Sequence, residues 1–122
     1  MKKLVTFFLI LLFLCSCSNI NQSLEQLKAI DDKMVDAYNL AGATARINLS
    51  PVVSKMQDIK NELDNLQVSQ CLNYAKSDYD KAFTDIINAY LAFMRQGDYQ
   101  SLLDNGKTEW DLARNQVNVS CK

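Results

Sequence analysis

Histidine is absent from this chain of 122 residues, proline occurs once and glycine three times. Without histidine there is no Ser-His or Cys-His catalytic pair, no general base that titrates near neutrality, and no imidazole ligand for zinc. No glycine-rich phosphate loop or spaced metal-ligand cluster is present. No stretch of useful length alternates apolar and polar residues at strand spacing, which leaves helices as the regular structure. Nor does any apolar run reach the roughly 20 residues that span a bilayer as a helix. The most apolar stretch, Leu4 to Leu14, is interrupted only by Thr6 and follows the basic start Met1-Lys2-Lys3. A charged start followed by a short apolar run is the layout of a secretory signal sequence.

Directly after that run stands Leu14-Cys15-Ser16-Cys17. This tetrad resembles the lipobox of bacterial lipoproteins, in which a leucine lies three residues before the modified cysteine and a small residue lies just before it. Cys15 is the rival acceptor, but it follows the bulky Leu14, whereas Cys17 follows the small Ser16. The resemblance covers the first 18 residues. It implies that residues 1–16 are a signal peptide that is removed, that Cys17 carries a diacylglyceryl group and usually a further acyl chain, and that residues 17–22 form a short lipidated tether. It also implies a membrane-anchored protein facing the periplasm or the exterior. Ser18, not Asp, follows the modified cysteine, which resembles the outer-membrane sorting class where the host has two membranes. One acyl chain binds a membrane only marginally and two make the attachment durable, since each buried CH₂ contributes about 0.8 kcal/mol. Fully extended, the tether reaches no more than ~20 Å, so the folded part is expected close to the lipid surface.

Removing the leader also removes Lys2 and Lys3 and leaves 11 basic against 14 acidic residues, a net charge of −3. A mildly acidic surface disfavours nucleic acid and electrostatic adhesion to anionic lipid, so the acyl group must supply the anchoring. With Cys15 discarded and Cys17 blocked, Cys71 and Cys121 are the remaining thiols of an exported chain, and a disulfide between them is expected. Two cysteines without histidine do not complete a four-ligand zinc sphere. No metal or other cofactor is expected.

Residues 23–122 read as one helical domain. Ser23-Leu24-Glu25-Gln26 has the form of a capping box, so a first helix is expected to start at Ser23. Leu24, Leu27, Ile30, Met34, Ala37, Tyr38, Ala41 and Ala45 then recur every three or four residues. Ser50-Pro51 opens a second helix, with Ser50 as N-cap and a stripe of Val52, Met56, Ile59, Leu63 and Leu66. Ser69 is the expected cap of the third and most apolar helix, whose face runs through Leu72, Ala75, Tyr79, Ala82, Phe83, Ile86, Tyr90 and Phe93. Gly97 is suited to a left-handed C′ position that ends this helix, and Asp98 to capping the next. The fourth helix places Tyr99, Leu103, Gly106, Trp110, Ala113 and Val117 on one face, with a bend possible at Gly106.

In two helices running in opposite directions, facing residues have numbers of nearly constant sum, set by the turn. A turn at residues 96 and 97 then brings Cys71 to Cys121, Phe83 to Trp110, and Ile86 or Ile87 to Gly106. The bridge would close the open end of the hairpin and stabilise it by about 4 kcal/mol on the chain-entropy model. Short connections favour antiparallel neighbours, so the expected fold is all-α: an antiparallel up-down-up-down four-helix bundle with a disulfide-closed C-terminal hairpin.

Asp31-Asp32 with Asp36, and Asp78 with Asp80 and Asp85, are the carboxylate groupings. Asp32, Asp36, Asp78, Asp80 and Asp85 lie beside or opposite the apolar stripes and read as solvated surface, so paired acid–base catalysis is not expected. The aromatic residues sit at core spacing. Tyr74 and Leu91 fall off the inward face of the third helix and are the expected exposed contacts. The functional expectation is a non-enzymatic envelope binding module that meets an unidentified envelope protein. The alternatives are an inhibitor or immunity/exclusion-type lipoprotein, or a binder of a small apolar ligand between helices. Cys17→Ser is expected to release the protein from membranes, and recovery of that variant in the membrane fraction on vesicle flotation would overturn the lipobox reading.

Overall fold

The computed structural model describes the backbone from residue 2 and the side chains from residue 19. The lipobox residues Leu14 to Cys17 therefore lie outside the described side chains. Among the described residues four α-helices make up the fold: α1 Lys2–Gly42, α2 Ser50–Asn65, α3 Asn73–Met94 and α4 Gln100–Val119. Single 3₁₀ turns at Arg46–Asn48 and Gln70–Leu72 lie in the connections before α2 and α3. Among the described residues there is no strand, and no helix is long and apolar enough to cross a membrane.

The expected stripes become the core of a helical bundle. Leu27, Ile30, Met34, Ala37 and Ala41 of α1 are buried, as are Val52, Met56, Ile59 and Leu63 of α2. The third helix buries Ala75, Tyr79, Ala82, Phe83, Ile86, Ile87 and Ala89, and its most extensive packing is against α4. Burial of a large apolar side chain contributes roughly 1.5–3 kcal/mol, so these residues dominate the stabilisation.

Cross-helix pairs define who meets whom. Ser23 of α1 lies 3.4 Å from Ser69, oxygen to oxygen, and Lys33 pairs with Glu62 of α2. Lys60 of α2 sits 2.7 Å from an Asp80 oxygen of α3, and Lys76 donates to the Leu66 carbonyl at 2.7 Å. Partial burial opposes the charge on Asp80, but the Lys60 ammonium outweighs it and holds the carboxyl below its usual range. Between α3 and α4, Cys71 and Cys121 are joined with Cα atoms 5.3 Å apart. Phe83 and Trp110 rings meet edge-on at 5.7 Å, and Phe93 and Tyr99 at 4.9 Å. All these α3–α4 pairs keep the register expected of a hairpin.

Five helix ends differ from expectation. Ser69 precedes the 3₁₀ turn Gln70–Leu72 and does not cap α3, which begins at Asn73 with Leu72 at its cap, because the chain makes that extra turn first. Ser23 is not an N-cap, because α1 continues N-terminally past it. Its neighbouring N–H groups already have helical partners, and its hydroxyl is free to accept from the Ser69 amide at 3.3 Å. The cap of α2 is Leu49, one residue before Ser50. Leu49 is wholly buried, and the anchoring of that side chain sets where the helix begins. At the end of α3 the left-handed residue is Gln96, with φ 61°, and Gly97 has no positive φ. The Gly97 amide reaches the Ala92 carbonyl at 2.9 Å and the Gln96 amide that of Phe93 at 3.1 Å, the paired bonds of a Schellman motif. The turn geometry was therefore foreseen and its left-handed residue shifted by one. Asp98 accepts from the Gln100 amide at 3.2 Å, although Tyr99 occupies the cap position.

Helix α4 runs unbroken through Gly106. A Cβ there would lie 2.7 Å from the Ile86 side chain and 3.1 Å from the Ile86 backbone nitrogen, so α3 and α4 approach too closely for any side chain. Gly106→Ala is expected to destabilise by about 1–3 kcal/mol despite alanine's better helix propensity. Gly42→Ala meets open space and should stabilise by up to ~1 kcal/mol. Urea midpoints of the two variants check the pair, and a stabilised Gly106→Ala protein would refute the close approach.

Candidate functional site

The feature of greatest chemical content is a polar cluster that ties α1 to α4. Asp31 lies one step off the apolar stripe of α1, next to Ile30, and its side chain is only 13% exposed. Trp110, on the inner face of α4, donates its indole N–H to one Asp31 oxygen. Arg114, one turn further on, donates from Nε to the other oxygen at 3.0 Å and from Nη2 to the first at 3.3 Å. The i,i+4 spacing of Trp110 and Arg114 places both over the same carboxylate. The guanidinium also stacks over the indole at 4.9 Å.

Burial alone would weaken the charge of Arg114, but the Asp31 hydrogen bond and charge raise its pKa above the ordinary arginine value. Tyr79 of α3 extends the cluster inward. Its phenol is pushed well above the usual tyrosine range, first by burial and then by the nearby Asp31 charge. Tyr90 is pushed up to about 12, by burial first and then by Tyr38. Both phenols are therefore neutral at physiological pH.

Beside the cluster a groove of about 340 Å³ opens between α1 and α4, lined by Val35, Tyr38, Asn39, Lys107, Trp110, Asp111 and Arg114. Tyr38 meets Trp110 edge-to-face at 5.7 Å and Tyr90 at 6.2 Å, so the aromatic floor is held in place by its neighbours. Lys107, Asp111 and the half-exposed Arg114 give the rim charges of both signs. A second groove of about 370 Å³ lies nearer the middle of α1, beside the α2–α3 connection, and is lined by Asn19, Gln22, Ser23, Gln26, Gln67, Val68 and Ser69.

The expected site residues fall in three places. Cys71 and Cys121 are bonded at one end of the bundle. Tyr74, three residues beyond Cys71, is 78% exposed. Leu91 is half-buried and packs against the core, so it offers little surface; the connection between α1 and α2 covers this part of α3, with Arg46 over the Phe93 ring. Cys17 lies outside the described side chains. Of the carboxylates, Asp32 and Asp36 are exposed, and Asp80 is paired with Lys60. Asp31 was not separable from Asp32 by composition. A carboxylate adjoining the apolar stripe and an Arg four residues after the single Trp were the available signals. Among the described residues, no group of three His, Cys, Asp or Glu side chains is placed to hold a metal ion.

Asp31→Ala leaves the Trp110 N–H and the Arg114 guanidinium without their acceptor and is expected to cost about 2–4 kcal/mol. Asp31→Asn keeps an acceptor and should lose less. Denaturation followed by Trp110 emission checks the order, and equal stability of both variants with the parent would refute the role of the carboxylate. No protein-family model, curated protein or solved structure matches the chain.

Proposed function

We propose that this protein is a membrane-anchored bacterial lipoprotein whose domain is an up-down-up-down four-helix bundle, and that it acts by non-catalytic binding of an envelope protein through the α1–α4 groove. The topology is supported by Lys33–Glu62 between α1 and α2, Lys60–Asp80 between α2 and α3, Asp31–Arg114 between α1 and α4, and the Cys71–Cys121 bridge that ties the residue before α3 to the residue after α4. The lipobox tetrad supports the anchor, with Cys17 as the acylated residue.

The observation that carries the binding reading is the composition of the groove. Trp, Tyr and Arg are the residues that supply most of the affinity at protein interfaces, chiefly where they are pre-ordered in a partly desolvated pocket. Trp110, Tyr38 and Arg114 stand together here, and each is held by another side chain. Ordering them before the partner arrives lowers the entropy cost of binding. The chemistry fits a partner that places one apolar side chain on the aromatic floor and acidic groups toward Lys107 and Arg114. A small apolar or aromatic ligand in the same groove is the second reading, favoured by its volume of about 340 Å³, near the lower end for ligand pockets.

A photoreactive amino acid at Asn39 or Lys107 in the acylated protein should give a discrete protein adduct in cells, whereas the same group at Lys55 or Asp58, which are exposed on α2, should not. Lys107→Glu should abolish the adduct formed from Asn39. Adducts from α2 with none from the groove would overturn the proposal.

A further inference from the structure

The end of the bundle that carries the disulfide holds four features together. Asn19, where the described side chains begin, lines the amide-rich groove with Gln22, Gln26, Gln67 and Ser69. Ser69 stands two residues before Cys71, and Cys71 is bonded to Cys121. Val119, two residues before Cys121, is 63% exposed, and Tyr74, three residues after Cys71, is 78% exposed. Ile47 is also exposed, but it lies at the opposite end, beside Arg46, whose guanidinium is over the Phe93 ring near the α3–α4 turn.

Chain geometry sets this end beside Cys17. Two peptide units separate the Cα atoms of Cys17 and Asn19, a distance of at most about 7 Å in any conformation. If Cys17 carries acyl chains buried in the bilayer, Asn19 and the groove it lines stand at the headgroup layer. An exposed tyrosine with a polar tip and an apolar body suits that layer, as does an exposed valine at the same end. The residues lining the amide groove include no carboxylate, so the phosphates of the headgroups meet hydrogen-bond donors there without charge repulsion.

Resting on the reading of Cys17 as the lipidated residue, we propose that the Asn19–Ser69–Cys71–Cys121 end of the bundle seats on the surface of the anchoring bilayer, with Tyr74 and Val119 entering its interfacial layer. A domain held to a bilayer at one residue can tilt about that point. Contact by Tyr74 and Val119 removes that freedom and holds the helices in a fixed orientation to the membrane, with the α1–α2 connection outermost.

Acylated Tyr74→Trp, Val119→Trp and Ile47→Trp proteins in phosphatidylcholine vesicles test this, with bromine placed near the top of the acyl chains as quencher. All three positions are exposed, so the fold tolerates the change, and Trp110, 5% exposed, provides the wild-type baseline. Quenching several-fold above that baseline is expected for Tyr74→Trp and Val119→Trp, and none above it for Ile47→Trp. Acylated, vesicle-bound protein in which Tyr74→Trp and Val119→Trp quench no more than Ile47→Trp overturns the seating while leaving the anchor intact. Absence of acyl mass on Cys17, with no flotation, overturns the anchor and the seating together.

Discussion

The α3–α4 contact rests on a missing side chain. Ile86 occupies the volume that any Cβ on residue 106 would need, and the two helices can lie this close only because that residue is glycine. Everything C-terminal of the α3–α4 turn takes its position from the approach. Trp110, one turn beyond Gly106, is thereby brought edge-on to Phe83, and Cys121 is carried back to Cys71. Contact at Gly106 and a covalent bond at the open end give one register for the pair. A slip by one residue would set a side chain of α4 against Ile86 and part the cysteines.

With α4 so placed, Trp110 and Arg114 meet α1 through one aromatic contact with Tyr38 and a polar one with Asp31. An aspartate at the edge of the core costs desolvation unless its oxygens are fully used. Asp31 uses both, on an indole N–H and on a guanidinium that also covers the indole. Because hydrogen bonds are directional, this cluster specifies how α1 sits on α4 more narrowly than apolar contact does. Trp110 and Arg114 then also line the groove, so the fold's most specific contact and the groove share residues.

The two ends of the bundle differ in character. One carries the disulfide, the amide groove, and the exposed Tyr74 and Val119. At the other, a Schellman turn and the α1–α2 connection close over the ends of α1 and α3. On the proposed anchoring at Cys17, the first of these ends would face lipid and the second the aqueous compartment. Helix α1 runs the length of the bundle and takes part in both surfaces, through Asn19 and Gln26 at one groove and Val35 and Asn39 at the other.

Much of the helical architecture was legible from residues alone, because apolar spacing reports burial directly. The stripes of α2 and α3 are buried nearly as read, and the pairing of Cys71 with Cys121 and of Gly106 with Ile86 followed from the position of one turn. Local sequence was less informative at helix ends. Ser23 and Ser50 have good capping chemistry, yet α1 runs past the first and the buried Leu49 displaces the second. Gln96 takes the left-handed place that Gly97 suits better, since the register of α3 against α4 sets where the chain must reverse. Residue order alone thus determined the helices, their inward faces and the covalent closure, all of which follow from periodicity and thiol count. Which aspartate is drawn inward, and which aromatics are left at a groove, depended on how α1 meets α4 across about 80 residues of chain, a distance over which one-dimensional patterns carry no geometric information.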